Sequence, residues 1–475
     1  MGRRHRVVTK DASSVFTIPS TLITFLHRCD HGNSHDSDRV ASRGVDVPHW
    51  GCIADDVTGA TDLATNLVSR GLRTVVLLQP FSDSGVPLGQ GRLPAEVDDI
   101  DAIVVALKSR TAPIDVAVAQ SLAALDYLES VGAERIYVKY CSTFDSTPEG
   151  NIGPIIDAVL ARTGETRTIV VPSFPDAART VYRGHLFVGD DPLDESPMRN
   201  HPLTPMLDSS VPRLLTPQTT GRVGLVTLPT VRAGRAELAR SLEAGHGDGP
   251  VSLVVDAIEN EDLETIMAAA RPLRVVTGGS GLALGMSQRA TSDARRIREV
   301  AGRRAVLSGS ASQRTREQVA FARARLPWWK LDVDRLSRGL EDAVEEIARW
   351  AAARWADDPM AIPLVYSADS LDDIDHDTPD AADLVERAFG AVAQRLVGLG
   401  AAQLIVAGGE SSGRVMAELG VAQLRIGPAI APGVAWSEAT TATGALLNVA
   451  LKSGNFGEVD MFTAAWRELE RGTSK

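Results

Sequence analysis

Two adjacent aspartates, Asp55 and Asp56, stand in "IADDVTGATD", where an apolar run gives way to a turn carrying Thr58 and Gly59. One acid at such a place is often only a helix cap. Two are costly to cluster without a compensating partner, which points to a substrate hydroxyl, a proton or a metal. Next, "ALKSRTAP" closes an apolar run with Lys108, Ser109 and Arg110. Arginine is shaped to grip a carboxylate through two bonds, although a solvated surface arginine would look the same. In "KYCSTFDSTPEGNIG", Lys139 is followed by the hydroxyls of Ser142, Thr143 and Ser146 and by Asp145 and Asn151. That density of donors suits a small polyhydroxy or carboxylate ligand. Turn formation alone would explain Pro148, Gly150 and Asn151, but not a lysine at a strand end.

Further along, "LSGSAS" carries Ser308 and Ser310, "GGESSG" spans Gly408 to Gly413, and "LKSGNFG" holds Lys452, Ser453, Gly454, Asn455 and Gly457. A glycine turn before a helix offers backbone N–H groups and a partial positive charge to an anion. Glycine also serves tight turns and close packing, so each loop alone says little. "GGESSG" has neither the Lys-Ser/Thr ending of a P-loop nor the glycine spacing of the dinucleotide fingerprint.

All of these stretches but the last, a loop near the C-terminus, follow predicted strands, where open parallel sheets place their ligands. From Trp50, strands at "WGCIAD", "TVVLL", "DAIVVAL" and "RIYVKY" alternate with helices at "TDLATNLVSRG" and "DVAVAQSLAALDYLESVG", with "DVTGA" as a loop. More strands are expected at "RTIVVPS", "GRVGLVTL", "VSLVVDA" and "LRVVTG", and an irregular excursion between Phe187 and Thr220. A polar, basic stretch then precedes a fresh strand, "AVLSGS", and a second alternating series through "PLVYSA" and "AQLIVAG". The expected fold is therefore two α/β domains, each a mostly parallel sheet flanked by helices. Residues 50–290 form one and residues 300–475 the other.

The 475 residues carry 61 acidic and 49 basic side chains, with no Lys/Arg run. Nucleic acid is thus not an expected partner. No apolar run reaches a membrane span, and Cys29, Cys52 and Cys141 are too few for a disulfide framework, so a cytoplasmic protein is expected. Residues 1–49 read as a disordered extension or as the product of a start codon placed too far upstream. Their His27, Cys29, His31 and His35 could be taken for metal ligands, but a zinc site normally pairs ligands from two separated segments.

"IADDVTGATD", "KYCSTFDSTPEGNIG", "RTVYRGHLFVGDDPLDESPMRNHPLTPM", "VTGGSGL", "LSGSASQRTREQ", "AGGESSGRV", "IGPAIAPGVAW" and "LKSGNFGEVDMF", in this order, resemble the four-carbon acid sugar kinase family. The likeness covers about residues 50 to 470, and the long second motif resembles the 3-oxo-tetronate kinase branch. It implies an ATP-dependent kinase with a sugar-acid-binding domain, a nucleotide-binding domain and an active site in the cleft between them, with Mg²⁺ expected. It places substrate contacts on Asp55, Asp56, Arg110, Lys139, Ser142 and Thr143, with Asp55 or Asp56 as the catalytic base. Nucleotide contacts fall on Ser308, Gly408, Gly409, Glu410, Ser411 and Gly454. Where the family commonly has "GGETSG", this chain has Ser411, which keeps the hydroxyl and drops a methyl. A D-threonate or D-erythronate kinase is the alternative within the class, and a non-catalytic sugar-acid sensor the alternative outside it. The sequence leaves a homodimer open, and does not identify the metal ligands.

Overall fold

A computed structural model of the chain describes residues 49–78, 100–200, 204–244, 249–288, 294–370, 373 and 380–473. His27, Cys29, His31 and His35, with the rest of the expected extension up to residue 48, lie outside the described residues.

The strands up to residue 288 are β1 (Trp50–Ala54), β2 (Thr74–Leu77), β3 (Ala102–Ala106), β4 (Arg135–Lys139), β5 (Arg167–Val171), β6 (Arg179–Tyr182), β7 (His185–Val188), β8 (Asp191–Pro192), β9 (Arg222–Val226), β10 (Val251–Val255) and β11 (Val275–Gly278). Those after it are β12 (Arg303–Ser308), β13 (Trp328–Lys330), β14 (Leu364–Tyr366), β15 (Ala401–Ala407), β16 (Gln423–Ala431), β17 (Val434–Thr440) and β18 (Leu446–Lys452). Fifteen of them form one sheet in the order β13-β14-β12-β15-β18-β17-β16-β2-β3-β1-β4-β11-β5-β10-β9. From β2 to β9 every pairing is parallel. The fully apolar β1 and β3 are buried throughout, as strands covered by helices on both faces must be.

The other end of the sheet is parallel from β13 to β18 and then turns antiparallel through β17 and β16. The join is antiparallel as well: β16 runs along β2, with Leu424 opposite Val76. The two series predicted from the sequence thus share one sheet. The segment expected to be irregular from Phe187 holds the end of a small antiparallel sheet, β6-β7-β8, followed by short helical turns.

The helix Val57–Ser69 begins inside "DVTGA", which was expected to be a loop. Asp56 caps it, accepting a hydrogen bond from the Gly59 amide at 2.8 Å, so the chain enters the helix directly after the second aspartate. The helix is buried on nearly all sides, packing on β2 and β3 and also on β16, β17 and the helix Gly409–Glu418. It is the element through which the two ends of the sheet position each other.

Candidate active site

The site starts from strand register. Ala54 of β1 lies opposite Ala106 of β3 on one side and Lys139 of β4 on the other, so the segments following β1 and β3 emerge beside Lys139. β1 is also where the connections diverge to opposite sides, the crevice that open α/β sheets use for ligands. Arg110 Nε and Nη2 donate to the two carboxylate oxygens of Asp55 at 2.7 and 3.0 Å, and Nη2 also lies 2.8 Å from Asp56 Oδ1. Lys139 Nζ is 3.3 Å from Asp55 and 3.7 Å from Asp56. Gly59 admits this lysine: a Cβ there would stand 1.9 Å from its Nζ.

Two acids and two cations therefore balance one another in a half-buried crevice. Burial works to raise the pKa of Asp55, but the adjacent charges of Arg110 and Lys139 overcome it and hold the carboxyl at about 2. Burial likewise opposes the charge on Lys139, and Asp55 and Asp56 outweigh it, so its pKa lies above the ordinary value. A carboxylate depressed in this way stabilises the fold fully above its unfolded value of 3.8, and that contribution is lost as pH falls through about 2.

Ser142 packs against Gly279. Thr143 is buried and donates to Asp145 Oδ1 at 2.6 Å, so it bears on the site by orienting Asp145. Asp145 itself reaches the cavity wall.

The nucleotide candidates converge separately. Ser308 ends β12 opposite Ala407 of β15, which in turn lies opposite Lys452 of β18. Ser308 is fully buried beneath this surface, and its Oγ has no hydrogen-bond partner among the described residues. Gly408 is the one true turn residue of "GGESSG", with φ of 120°, and the helix Gly409–Glu418 starts immediately after it. The first amides of that helix have no intrahelical acceptor and are available to an anion. The Gly454 carbonyl accepts from Ser312 Oγ at 2.6 Å, Thr315 Oγ1 at 2.7 Å and Lys452 Nζ at 2.7 Å, lacing the third loop to the first. Lys452 was visible as a loop residue but not as the hub of that lacing.

Two cavities meet along this line. One, of about 540 Å³, runs from Gly309, Ser310 and Gly408 to Ser411 out to Leu331, Asp332 and Val385. Its far wall comes from residues after β13 and from the helix Ala381–Gly398, which carry no loop signature. The other, of about 420 Å³, has Asp55, Asp56, Lys108, Arg110, Asp145 and Thr204 on one side, and Gly409, Glu410, Gly413 and Ser453 on the other. Gly409 and Glu410 line both.

A sequence model described as a sugar-binding N-terminal domain matches residues 50–286, and one described as a nucleotide-binding C-terminal domain matches residues 305–462. The chain belongs to the four-carbon acid sugar kinase family. It is 44% identical to a 3-oxo-tetronate kinase of Burkholderia multivorans, the match covering 89% of this chain and 98% of that one. A Salmonella typhimurium protein of the same name is 41% identical, covering 88% and 99%. Among solved structures, a Salmonella typhimurium LT2 protein labelled a tRNA synthase superposes with a TM-score of 0.78 at 39% identity, over 88% of this chain and 99% of that one. A Haemophilus influenzae protein does so with a TM-score of 0.72 at 39% identity, over 88% and 100%. No helix among the described residues is long and apolar enough to cross a membrane.

No cluster of three or more acidic, histidine or cysteine side chains suited to a metal occurs among the described residues. Mg²⁺ usually needs only one or two carboxylates when substrate phosphates supply the other oxygens. Glu410 and Asp145 are carboxylates on the cavity wall.

Proposed function

We propose that this chain is an ATP-dependent 3-oxo-tetronate kinase that transfers the γ-phosphoryl group to the C4 hydroxyl, giving ADP and 3-oxo-tetronate 4-phosphate. The observation that carries the proposal is the shared cavity, with balanced acids and cations at strand ends on one side and the amino end of the helix Gly409–Glu418 on the other. Residues 50–290 bind the sugar acid and residues 300–475 the nucleotide. ATP lies along the larger cavity with its phosphates toward Gly409, Glu410 and Ser411, over Ser308 and beside Gly454. The cytoplasm, where ATP is abundant, is the compartment in which such an enzyme works.

Phosphoryl transfer asks chiefly for positioning and charge stabilisation. Arg110, held by the aspartates, presents cationic surface to the C1 carboxylate, with the buried Lys139 adding its charge from behind, and Ser142 and Thr143 support that end through Asp145 and the neighbouring backbone. Each aspartate is engaged by neighbouring donors, but the side chain of Asp56 is 26% exposed against 11% for Asp55. Asp56 is therefore the residue that orients the C4 hydroxyl and takes its proton, while Asp55 keeps the two cations ordered. Mg²⁺, held by Glu410 and Asp145 with phosphate oxygens, would supply charge neutralisation at the transferred group.

ADP release measured with 3-oxo-tetronates, D-threonate and D-erythronate tests this reading. Turnover should be highest with a 3-oxo acid. Preference for a 3-hydroxy acid would move the chain to the alternative kinase, and no turnover with any of them would remove the kinase assignment. The division of labour between the aspartates predicts different variants. Asp56→Asn can still cap its helix, so it should fold normally and lose about 100-fold or more in kcat. Asp55→Asn leaves buried cations under-compensated and should cost about 3 kcal/mol in denaturant unfolding. Normal turnover by Asp56→Asn would exclude it as the proton acceptor.

A further inference from the structure

Lys108 stands outside the charge balance just described. Arg110 and Lys139 are committed to Asp55 and Asp56, whereas the exposed Lys108 ammonium has no hydrogen bond or ion pair among the described residues. It lines the same cavity as the aspartates, Gly409 and Glu410. A Cβ built on Gly413 would lie 3.7 Å from its Cε and 3.9 Å from its Nζ, so the side chain reaches from the end of β3 across to the helix Gly409–Glu418. Both are ordinary contact distances, so the lysine lies along this helix without depending on the glycine for room.

The backbone carrying this lysine is fixed on both sides. The amides of Leu107 and Ser109 donate to the carbonyls of Ala54 and Asp55 at 2.8 and 3.0 Å. Asn151 Nδ2 donates to the carbonyls of Ser109 at 2.7 Å and Ala112 at 3.1 Å. A flexible cation on a rigid mount, lying beside Gly413 one turn in from the amino end and sharing a cavity with Gly409, suits a mobile anionic group that the helix amides hold from the other side.

We propose that Lys108, contributed by the sugar-acid half, grips the γ-phosphate of ATP bound to the other half and stabilises its charge during transfer. The inference deepens the kinase reading and rests on it. In the step, the bond between the β,γ-bridging oxygen and the γ-phosphorus breaks, and the C4 oxygen bonds to that phosphorus. The hydroxyl proton passes to Asp56 and the electron pair leaves with ADP. Lys108 stays protonated throughout and changes only its distance to the phosphoryl oxygens. Because ADP lacks the γ group, the lysine discriminates between the two nucleotides.

The test uses the full-length chain with Lys108→Met and Lys108→Arg. The lysine is exposed and unpaired among the described residues, so both variants should fold as the parent does. With the best sugar acid, Lys108→Met should lose about 100-fold in kcat, with the KM for the sugar acid within about threefold of the parent, and Lys108→Arg should recover part of the loss. By calorimetry with Mg²⁺ present, Lys108→Met should bind ATP more weakly and ADP unchanged. Parent-like kcat in Lys108→Met, or equal weakening of ATP and ADP, overturns the proposal. A parent protein that binds ATP more tightly than ADP through Lys108 yet phosphorylates none of the acids would support the contact and sink the substrate reading instead.

Discussion

Gly409→Asp is expected to leave the fold standing and to weaken ATP binding about 100-fold, since a fixed negative charge set against a phosphate costs several kcal/mol. The space exists: the nearest atom to a Cβ at this position would be Thr58 Oγ1 at 3.6 Å, an ordinary contact. Gly409 is the first helical residue, and an acid there would favour the helix dipole while occupying the place the phosphates need. Gly409→Ala should therefore be nearly silent, and Gly409→Asn should fall between the two. Calorimetric titration with ATP, alongside thermal melts, separates the loss of binding from a loss of fold. An unchanged ATP affinity in Gly409→Asp would remove the helix amino end from the nucleotide site.

Lys452→Met should show two effects of opposite sign. The lysine side chain is completely buried, and its ammonium donates to Thr315 Oγ1 at 2.8 Å and to the carbonyls of Ser453 and Gly454 at 3.0 and 2.7 Å. None of these partners is a carboxylate. Burial, helped by the charge of Arg314, brings its pKa down from 10.5 to about 7. Between those values the unfolded chain holds a proton that the folded chain has released, so stability rises with pH across the window, by up to ~5 kcal/mol. The folded state carries that cost in full below about pH 7. Methionine fills a similar volume without the charge, so the variant should be more stable at neutral pH and should lose the upward slope of stability toward pH 10. It would also release the Ser453 and Gly454 carbonyls from their common donor, and the KM for ATP should rise about tenfold as the loop loosens. Denaturant unfolding across pH, paired with ATP kinetics, measures both. A variant with the parent's pH slope would mean that Lys452 keeps its proton in the folded protein.

The chemistry of the site was more legible than its assembly. Lys139 and the aspartate pair stood out because polar side chains at the ends of apolar runs must face a crevice in a parallel sheet, and register then brings Ala54, Ala106 and Lys139 side by side. That Arg110 would close on Asp55 could not be read, since it depends on distances between segments far apart in the chain. β16 was missed as a strand because Gly427 and Pro428 interrupt its alternation, and its register against β17 slips between Ile426 and Ala429. β13 spans only three residues, too few to show a period. Lys452 reads as a polar loop residue until three acceptors are seen folded around its ammonium.

The antiparallel seam between β2 and β16 bears on how the protein is made. β2 is synthesised early, as the short apolar stretch "TVVL", and one of its two edges is covered only when residues near the opposite end of the chain arrive. Until then the nascent chain displays a bare, sticky strand edge, the feature that draws other chains into aggregates. A fragment ending near residue 300 would carry that edge permanently. Poor recovery of such fragments would then reflect an orphaned strand and not a badly chosen domain border, and adding residues 423–440 in trans would be the rational remedy.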